Sequence, residues 1–241
     1  NQTNPDVMVR ITTDFDISET DPLLSLTANF DCFTTSPLIW ETQHLGSLLT
    51  LDAFLDAEGE PFIQDFAPAS LDVFRYDGEL YGIPAYSIVS VIAYNADLLT
   101  NRGVQPPAND WTFNDFLKMI NASASPEEAD RIYGFLFNPY DFLLFDGRGA
   151  IWADFKADPP IPAFDSPEFS RALDWINNLL ESGVLLLDQD FSTSRQAILS
   201  GQVAFWSTSL EVGDWFAGQK PNFKIGIAPI PIVENSPRMF T

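Results

Sequence analysis

Cysteine and histidine are almost missing from this sequence, whose 241 residues hold one of each, Cys32 and His44. One cysteine cannot close an internal disulfide, so a disulfide-stapled fold is excluded. In the run Phe30-Asp31-Cys32-Phe33 the thiol is expected to act as a small buried hydrophobe, and His44 is expected to lie within a helix. Two lone residues make no case for a Cys–His nucleophile. Basic side chains are scarce as well, 12 against 34 acidic ones, for a formal net charge of −22. Nucleic-acid binding depends on Lys and Arg neutralising phosphates, so nucleic acid is excluded as a partner, and docking on an anionic membrane surface fails on the same ground. Acidity of this size keeps copies apart, which points to a monomer.

Other absences narrow the chemistry. No apolar run approaches the roughly 20 residues that span a bilayer. There is no phosphate loop, no zinc-binding helix and no Gly-x-Ser-x-Gly elbow. The pairs Asp14/Asp16 and Asp188/Asp190 lack the glycine and terminal glutamate of a calcium loop and read as solvated charge. Neither a metal nor a cofactor is expected. Asn121-Ala122-Ser123 has the form of a glycosylation acceptor but closes a helix. The chain opens on a polar stretch at Asn1, which reads as a processed or trimmed chain.

What is present is a 46% hydrophobic composition with 19% charged residues, enough for a sizeable core. Residues 7–11 alternate as a half-buried strand, and residues 30–33 are short and apolar enough for another. Ser36 then caps a helix with Pro37 in its first turn, closed by Gly46. Residues 51–57 and 64–74 read as helices. Asp77-Gly78 supplies the positive φ angles of a two-residue hairpin between Arg75-Tyr76 and Glu79-Leu80. Residues 88–94 are β-branched and aromatic and read as a buried strand. A helix over 96–102 ends at Gly103. Thr112 and Asp115 form a capping box, with Asp as a shorter variant of the usual Glu, and residues 133–137 are a strand.

The clearest helix runs over 167–182. Ser166 caps it, Pro167 starts it, Gly183 stops it, and Phe169, Ala172, Leu173, Ile176, Leu179 and Leu180 make one apolar face. A helix over 193–199, a strand over 203–206 and a last strand over 224–228 follow. Residues 158–162, Asp-Pro-Pro-Ile-Pro, read as a rigid surface excursion. Strands alternating with amphipathic helices predict an α/β layered fold.

Several of these segments, in this order, resemble the extracellular solute-binding proteins of ATP-driven importers, in the class that mostly carries sugars (family 1 solute-binding proteins). Residues 30–51 resemble that family's strand, polar turn and helix with a central Trp. Tyr76-Asp77-Gly78-Glu79-Leu80-Tyr81-Gly82-Ile83-Pro84 resembles its hairpin into the first hinge. The Tyr94-Asn95 pair, Pro106-Pro107 and Trp111-Thr112 resemble the elements that follow. Phe164-Asp165-Ser166-Pro167-Glu168-Phe169 resembles its long helix, Ser200-Gly201-Gln202-Val203-Ala204-Phe205 its step into a strand that ends at the cleft, and residues 225–231 the strand before its second hinge.

The resemblance implies a periplasmic-binding-protein-like fold of type II, with two α/β lobes joined by hinge crossovers and a ligand clamped between them. On that reading the chain is truncated. Residues 1–86 are a partial first lobe, 87–235 the second lobe and 236–241 the start of the second crossover. The implied partners are a small-molecule solute, a carbohydrate, and the membrane permease of an ABC importer. The implied place is extracellular or periplasmic, with a lipid anchor on the full-length precursor.

Sugars are held by aromatic faces that cover ring C–H groups and by polar side chains that chelate hydroxyls, while most large aromatics simply build cores. Position must decide. Thr34, Thr35 and Ser36 follow an expected strand and precede a helix, where open α/β sheets bind ligands, although Ser36 also serves as a cap. Tyr86 and Ser87 lie on the crossover where the resembled family meets its ligand. Ser207, Thr208, Ser209 and Glu211 follow the strand over 203–206, and Glu211 stands where many of those proteins carry Trp, with Trp215 a turn later. Tyr140 follows the strand over 133–137, and Trp152 follows a glycine-rich turn. Trp206 and Trp40 are read as core.

The function expected is capture of a sugar or oligosaccharide by hinge closure, without catalysis. Two alternatives stay open: a secreted glycoside-acting enzyme using paired carboxylates, and a binder of a non-sugar solute such as a polyamine or peptide.

Overall fold

Asp77 and Gly78 carry φ angles of 48° and 86°, the mirror-image turn that lets two short strands, β1 (Arg75–Tyr76) and β2 (Glu79–Leu80), pair antiparallel. This hairpin belongs to the first of two compact units, Asn1–Ser87 and Ile88–Thr241. The structure is a computed structural model. It describes residues 8–13, 16, 21–35, 42–67, 70–86, 88–127, 130–139, 143–151, 153–154, 157, 161–209 and 218–233.

In the first unit, α1 (Pro22–Asn29) starts with Pro22 just after Asp21, a Pro in the first turn being well tolerated because its missing N–H has no helical partner there. A 3-10 helix (Thr42–Ser47) follows, and His44 Nε2 lies 3.0 Å from Asp21 Oδ1, tying the two helices. α2 (Asp52–Glu58), α3 (Glu60–Ile63) and a 3-10 turn (Asp72–Phe74) lead into the hairpin. Leu80 and Leu55 are buried. Asp52 fastens the hairpin to α2: Leu80 N–H and Arg75 Nη1 each donate to its carboxylate at 2.8 Å. Those two contacts, the Leu80 N–H first, hold the Asp52 carboxyl below its ordinary range.

Several expectations for this unit fail. Residues 8–13 form no strand and Met8, Val9 and Ile11 are exposed. Residues 30–33 are bent rather than extended, and Cys32 is exposed, not buried. Both segments have strand-like side chains but no partner strand among the described residues, and a strand without a ladder leaves its backbone groups unpaired. Of the helix expected over 64–74, only the 3-10 turn at Asp72–Phe74 is helical among the described residues. α3 ends at Ile63, and Pro68 in the sequence denies that span a helical interior. The 3-10 helix runs through Gly46 to Ser47 instead of stopping at the glycine. Ser36, Pro37 and Trp40 lie outside the described residues.

The second unit is built on a five-stranded sheet with the order β7-β4-β8-β3-β9. Its strands are β3 (Ser90–Asn95), β4 (Tyr133–Phe137), β7 (Leu185–Leu187), β8 (Val203–Ser209) and β9 (Ile225–Ala228). β4 runs parallel to both β7 and β8, while β3 runs antiparallel to β8 and β9. A small hairpin, β5 (Ala153–Asp154) with β6 (Ile161–Pro162), stands apart. Part of the expected proline-rich excursion is therefore strand.

The helices are α4 (Ala96–Asn101), α5 (Phe113–Ser123), α6 (Leu143–Gly147), α7 (Pro167–Glu181) and α8 (Phe191–Leu199). Asn95, 4% exposed, closes the start of α4 by accepting from Leu98 N–H at 2.9 Å, which is the local physical role of the Tyr94-Asn95 pair. The α5 capping box is complete: Asp115 N–H donates to Thr112 Oγ1 at 3.2 Å, and Thr112 N–H donates to Asp115 Oδ2 at 3.1 Å. Ser166 caps α7 as expected, accepting from Phe169 N–H at 3.1 Å.

One core is aromatic. Phe116 of α5 meets Phe135 of β4 edge-on at 5.1 Å, with Trp111 and Phe205 packed around them. A smaller cluster holds Trp206, 1% exposed, with Ala93, Leu136 and Ile198, so Trp206 is core as expected. Leu173 departs from the expected α7 face and is exposed, while Ala172 and Ile176 are buried.

Candidate functional site at the sheet edge of the second unit

The direction of the strands decides where a ligand could sit. β4, β7 and β8 are parallel, so their carboxyl ends at Phe137, Leu187 and Ser209 share one edge of the sheet. β9 ends at the same edge, and antiparallel β3 begins there. In open α/β sheets ligands bind outside this carboxyl edge, where the loops diverge.

Hydroxyls cluster where β3 begins and β8 ends. Ser90 sits opposite Ser209, Val91 opposite Thr208 and Ile92 opposite Ser207. Side chains alternate along a strand and cross-strand partners share a face, so Ser90, Ser207 and Ser209 project on one side of the sheet and Thr208 on the other. Ser207, Thr208 and Ser209 are half-buried and Ser90 is exposed. These groups can both donate and accept.

Ser207–Ser209, expected to follow the strand, are instead its last residues. The strand expected to begin at residue 88 begins at Ser90, and Ile88 and Val89 are exposed before it. Both differences have one cause. The β3–β8 ladder runs as far as the Ser90–Ser209 pair, so pairing carries polar residues into strand and leaves apolar ones beyond it.

Tyr86 is 71% exposed. Thr34 and Thr35 are exposed, and the segment before them is not a strand, so the strand-end argument for them is lost. Ser36, Ser87, Tyr140, Trp152 and Glu211 lie outside the described residues.

The edge also holds residues that sequence reasoning misses. Asn138 directly follows β4 and Asp188 directly follows β7, and Asn138 Nδ2 donates to Asp188 Oδ2 at 3.5 Å. Ser194, in the first turn of α8, donates its hydroxyl to Asp188 Oδ1. Asp190 acts elsewhere. Its Oδ1 accepts from Ser192 and Thr193 N–H at 3.0 and 2.9 Å, capping α8. Thr193 first, then Ser192, holds the Asp190 carboxyl below its ordinary range. The two aspartates expected to be solvated charge are thus both engaged. A polar residue immediately after a recognisable strand is the signal for Asn138. β7, three leucines long, gives no such signal, which is why Asp188 reads from sequence as solvated charge rather than as a strand-end residue.

Among the described residues no group of three His, Cys, Asp or Glu side chains could hold a metal, and no helix is long and apolar enough to cross a membrane. A surface cavity of about 380 Å³ lies along the outer side of β7, lined in part by Arg131, Tyr133, Glu181 and Gln189. None of the expected site residues lines it.

The fold is mixed α/β with a mixed sheet, and solved structures of type II periplasmic binding proteins match it. Residues 29–238 match the bacterial extracellular solute-binding protein family, and the chain belongs to that family. It is 24% identical over 213 residues to the melibiose/raffinose/stachyose-binding protein MelE of Bacillus subtilis, covering 81% of this chain and 48% of MelE. The chain thus spans about half the length of that curated relative.

Among solved structures it is similar to the ABC substrate-binding protein Lmo0181 of Listeria monocytogenes, in complex with cycloalternan. That match has 24% identity and a TM-score of 0.56, covering 78% of this chain and 50% of that one. It is also similar to an ABC transporter solute-binding protein of Agrobacterium radiobacter K84 in complex with ribitol. There the identity is 21% and the TM-score 0.59, over 83% of this chain and 52% of the other.

Proposed function

We propose that the protein captures a carbohydrate outside the cell and passes it to the membrane permease of an ATP-driven importer, without chemical turnover. The observation that carries this reading is membership of the extracellular solute-binding family over residues 29–238. The similarity to MelE, whose named solutes are melibiose, raffinose and stachyose, favours a sugar or oligosaccharide over a polyamine or peptide. The hydroxyl-rich carboxyl edge fits the same class, because neutral groups that donate and accept suit a neutral polyol.

In this reading residues 1–86 are part of the first lobe, 87–235 the second lobe and 236–241 the start of a second crossover. Ser207, Thr208, Ser209 and Glu211, with Tyr140 and Trp152, contact the solute. Tyr86 and Ser87 contact it from the crossover, and Thr34, Thr35 and Ser36, which have lost their strand-end argument, are the first lobe's share only through the family resemblance. The working form is a monomer, held at the outer membrane face by a lipid on the precursor.

The test is a thermal-shift screen of the full-length protein with melibiose, raffinose, stachyose and ribitol. A ligand at a hundred times its Kd adds about 2.7 kcal/mol to apparent stability, so a true solute raises the melting temperature. Silence with every sugar, together with turnover of a chromogenic glycoside, would replace capture with catalysis.

A further inference from the structure

At the carboxyl edge of the second unit's sheet, Asp188 is a charged side chain with both oxygens fixed. Ser194, 4% exposed, donates to Oδ1, and Asn138 donates to Oδ2 at 3.5 Å. Its own N–H donates to Phe137 O at 2.8 Å, which binds the end of β7 to the end of β4. The carboxylate is therefore aimed by three elements: two parallel strands and the first turn of α8.

This bracing does not account for the charge. The start of α8 is already capped by Asp190, so Asp188 is not needed for that purpose. An ionised carboxylate accepts about four hydrogen bonds and donates none. Among the described residues its neighbours supply two, one from a hydroxyl and one from an amide, both neutral. A half-buried carboxylate held by neutral donors keeps acceptor capacity, and donors that meet a charge bind it more strongly than they bind a neutral group.

We propose that Asp188 is a solute-contacting residue. Ser194 and Asn138 set its orientation, and its remaining acceptor positions take hydrogen-bond donors of the solute, either sugar hydroxyls or the ammonium of an amino sugar. Ser90, Ser207 and Ser209 can bind in either sense, so they do not fix which way a hydroxyl points. Asp188 accepts only, and it fixes the solute's orientation at that end of the site. This inference rests on the capture function above and adds to it a residue and a polarity.

The experiment uses the full-length protein and the sugar that shifts its melting temperature most, with Asp188→Asn and Asp188→Ala as variants. Calorimetric titration against that sugar and its monodeoxy analogues gives a cycle between one carboxylate and each hydroxyl. Both variants should bind the sugar about tenfold more weakly or worse, a change of about 1.4 kcal/mol. The deoxy analogue that costs the wild type most should cost the variants nothing further. A glucosamine arm separates the two donors: preference for it over glucose in the wild type, lost in Asp188→Asn, identifies the ammonium.

Asp188→Asn keeps size and one acceptor oxygen, so it serves should the alanine variant fail to fold. Ser194→Ala with Asp188 intact reports the bracing alone. Equal deoxy penalties in wild type and variants would overturn the inference and leave Asp188 a structural tie. A wild type that binds none of the sugars would overturn the functional reading itself, and that failure is visible before any variant is made.

Discussion

A Cβ added at Gly134 would stand 2.2 Å from the backbone oxygen of Ile120. α5 therefore rides directly on β4, backbone against backbone, and that close approach is what lets Phe116 reach Phe135. Gly134→Ala cannot be absorbed by a flexible side chain, since the clash is with main chain. Overpacking of this kind costs about 1 to 3 kcal/mol or more. Denaturant unfolding should show a lowered midpoint of that size, and an unchanged midpoint would mean that α5 does not lie on β4 as described.

Acid should loosen specific ties. The Asp190 carboxyl is depressed by the Thr193 and Ser192 donors. A depressed folded-state value means stability that is full above the unfolded value, about 3.9 for Asp, and is lost as pH falls through the folded value. Asparagine also caps helices but does not titrate. The stability difference between wild type and Asp190→Asn should therefore favour the wild type above about pH 5 and shrink on acidification towards pH 3. Comparison at matched pH removes the general relief of charge repulsion in a chain of net charge −22. A difference that stayed constant with pH would show that the carboxylate does not cap α8.

Residues 89–231 should survive limited proteolysis as a unit while the first part of the chain is cut. The second unit's own sheet, its aromatic core and the Trp111 Nε1 donation to Pro229 O at 2.8 Å close it on itself. Equal loss of both halves on a gel time course would contradict this.

Legibility in the sequence follows the range of each signal. Caps and turns are local, and the Asp77-Gly78 hairpin, the Thr112–Asp115 box, the Ser166 cap of α7 and the stop at Gly183, whose φ is 76°, are all readable. Strands are stabilised by partners far away in sequence, and there the pattern misleads. Residues 30–33 look like a strand yet have no ladder among the described residues, and β7 is three leucines that become a strand by pairing with β4. Ser207–Ser209 are polar and become strand because Ser90, Val91 and Ile92 sit opposite. The carboxyl end of β8 can be located from sequence to within a few residues, whereas that of β7 cannot. Asn138 and Asp188 become visible as a pair only once the parallel pairing of β4 with β7 brings the two strand ends together.

The central claim, that a sugar is held at the carboxyl edge of the second unit, is tested most directly by blocking that edge. Ser209 is half-buried at the end of β8, and Ser209→Trp puts an indole at the strand end where the solute would lie. Calorimetric titration of the full-length protein with its best sugar should show binding weakened more than about tenfold, 1.4 kcal/mol or more, with the melting temperature of the empty protein unchanged. Undiminished affinity in a folded Ser209→Trp protein would contradict the account.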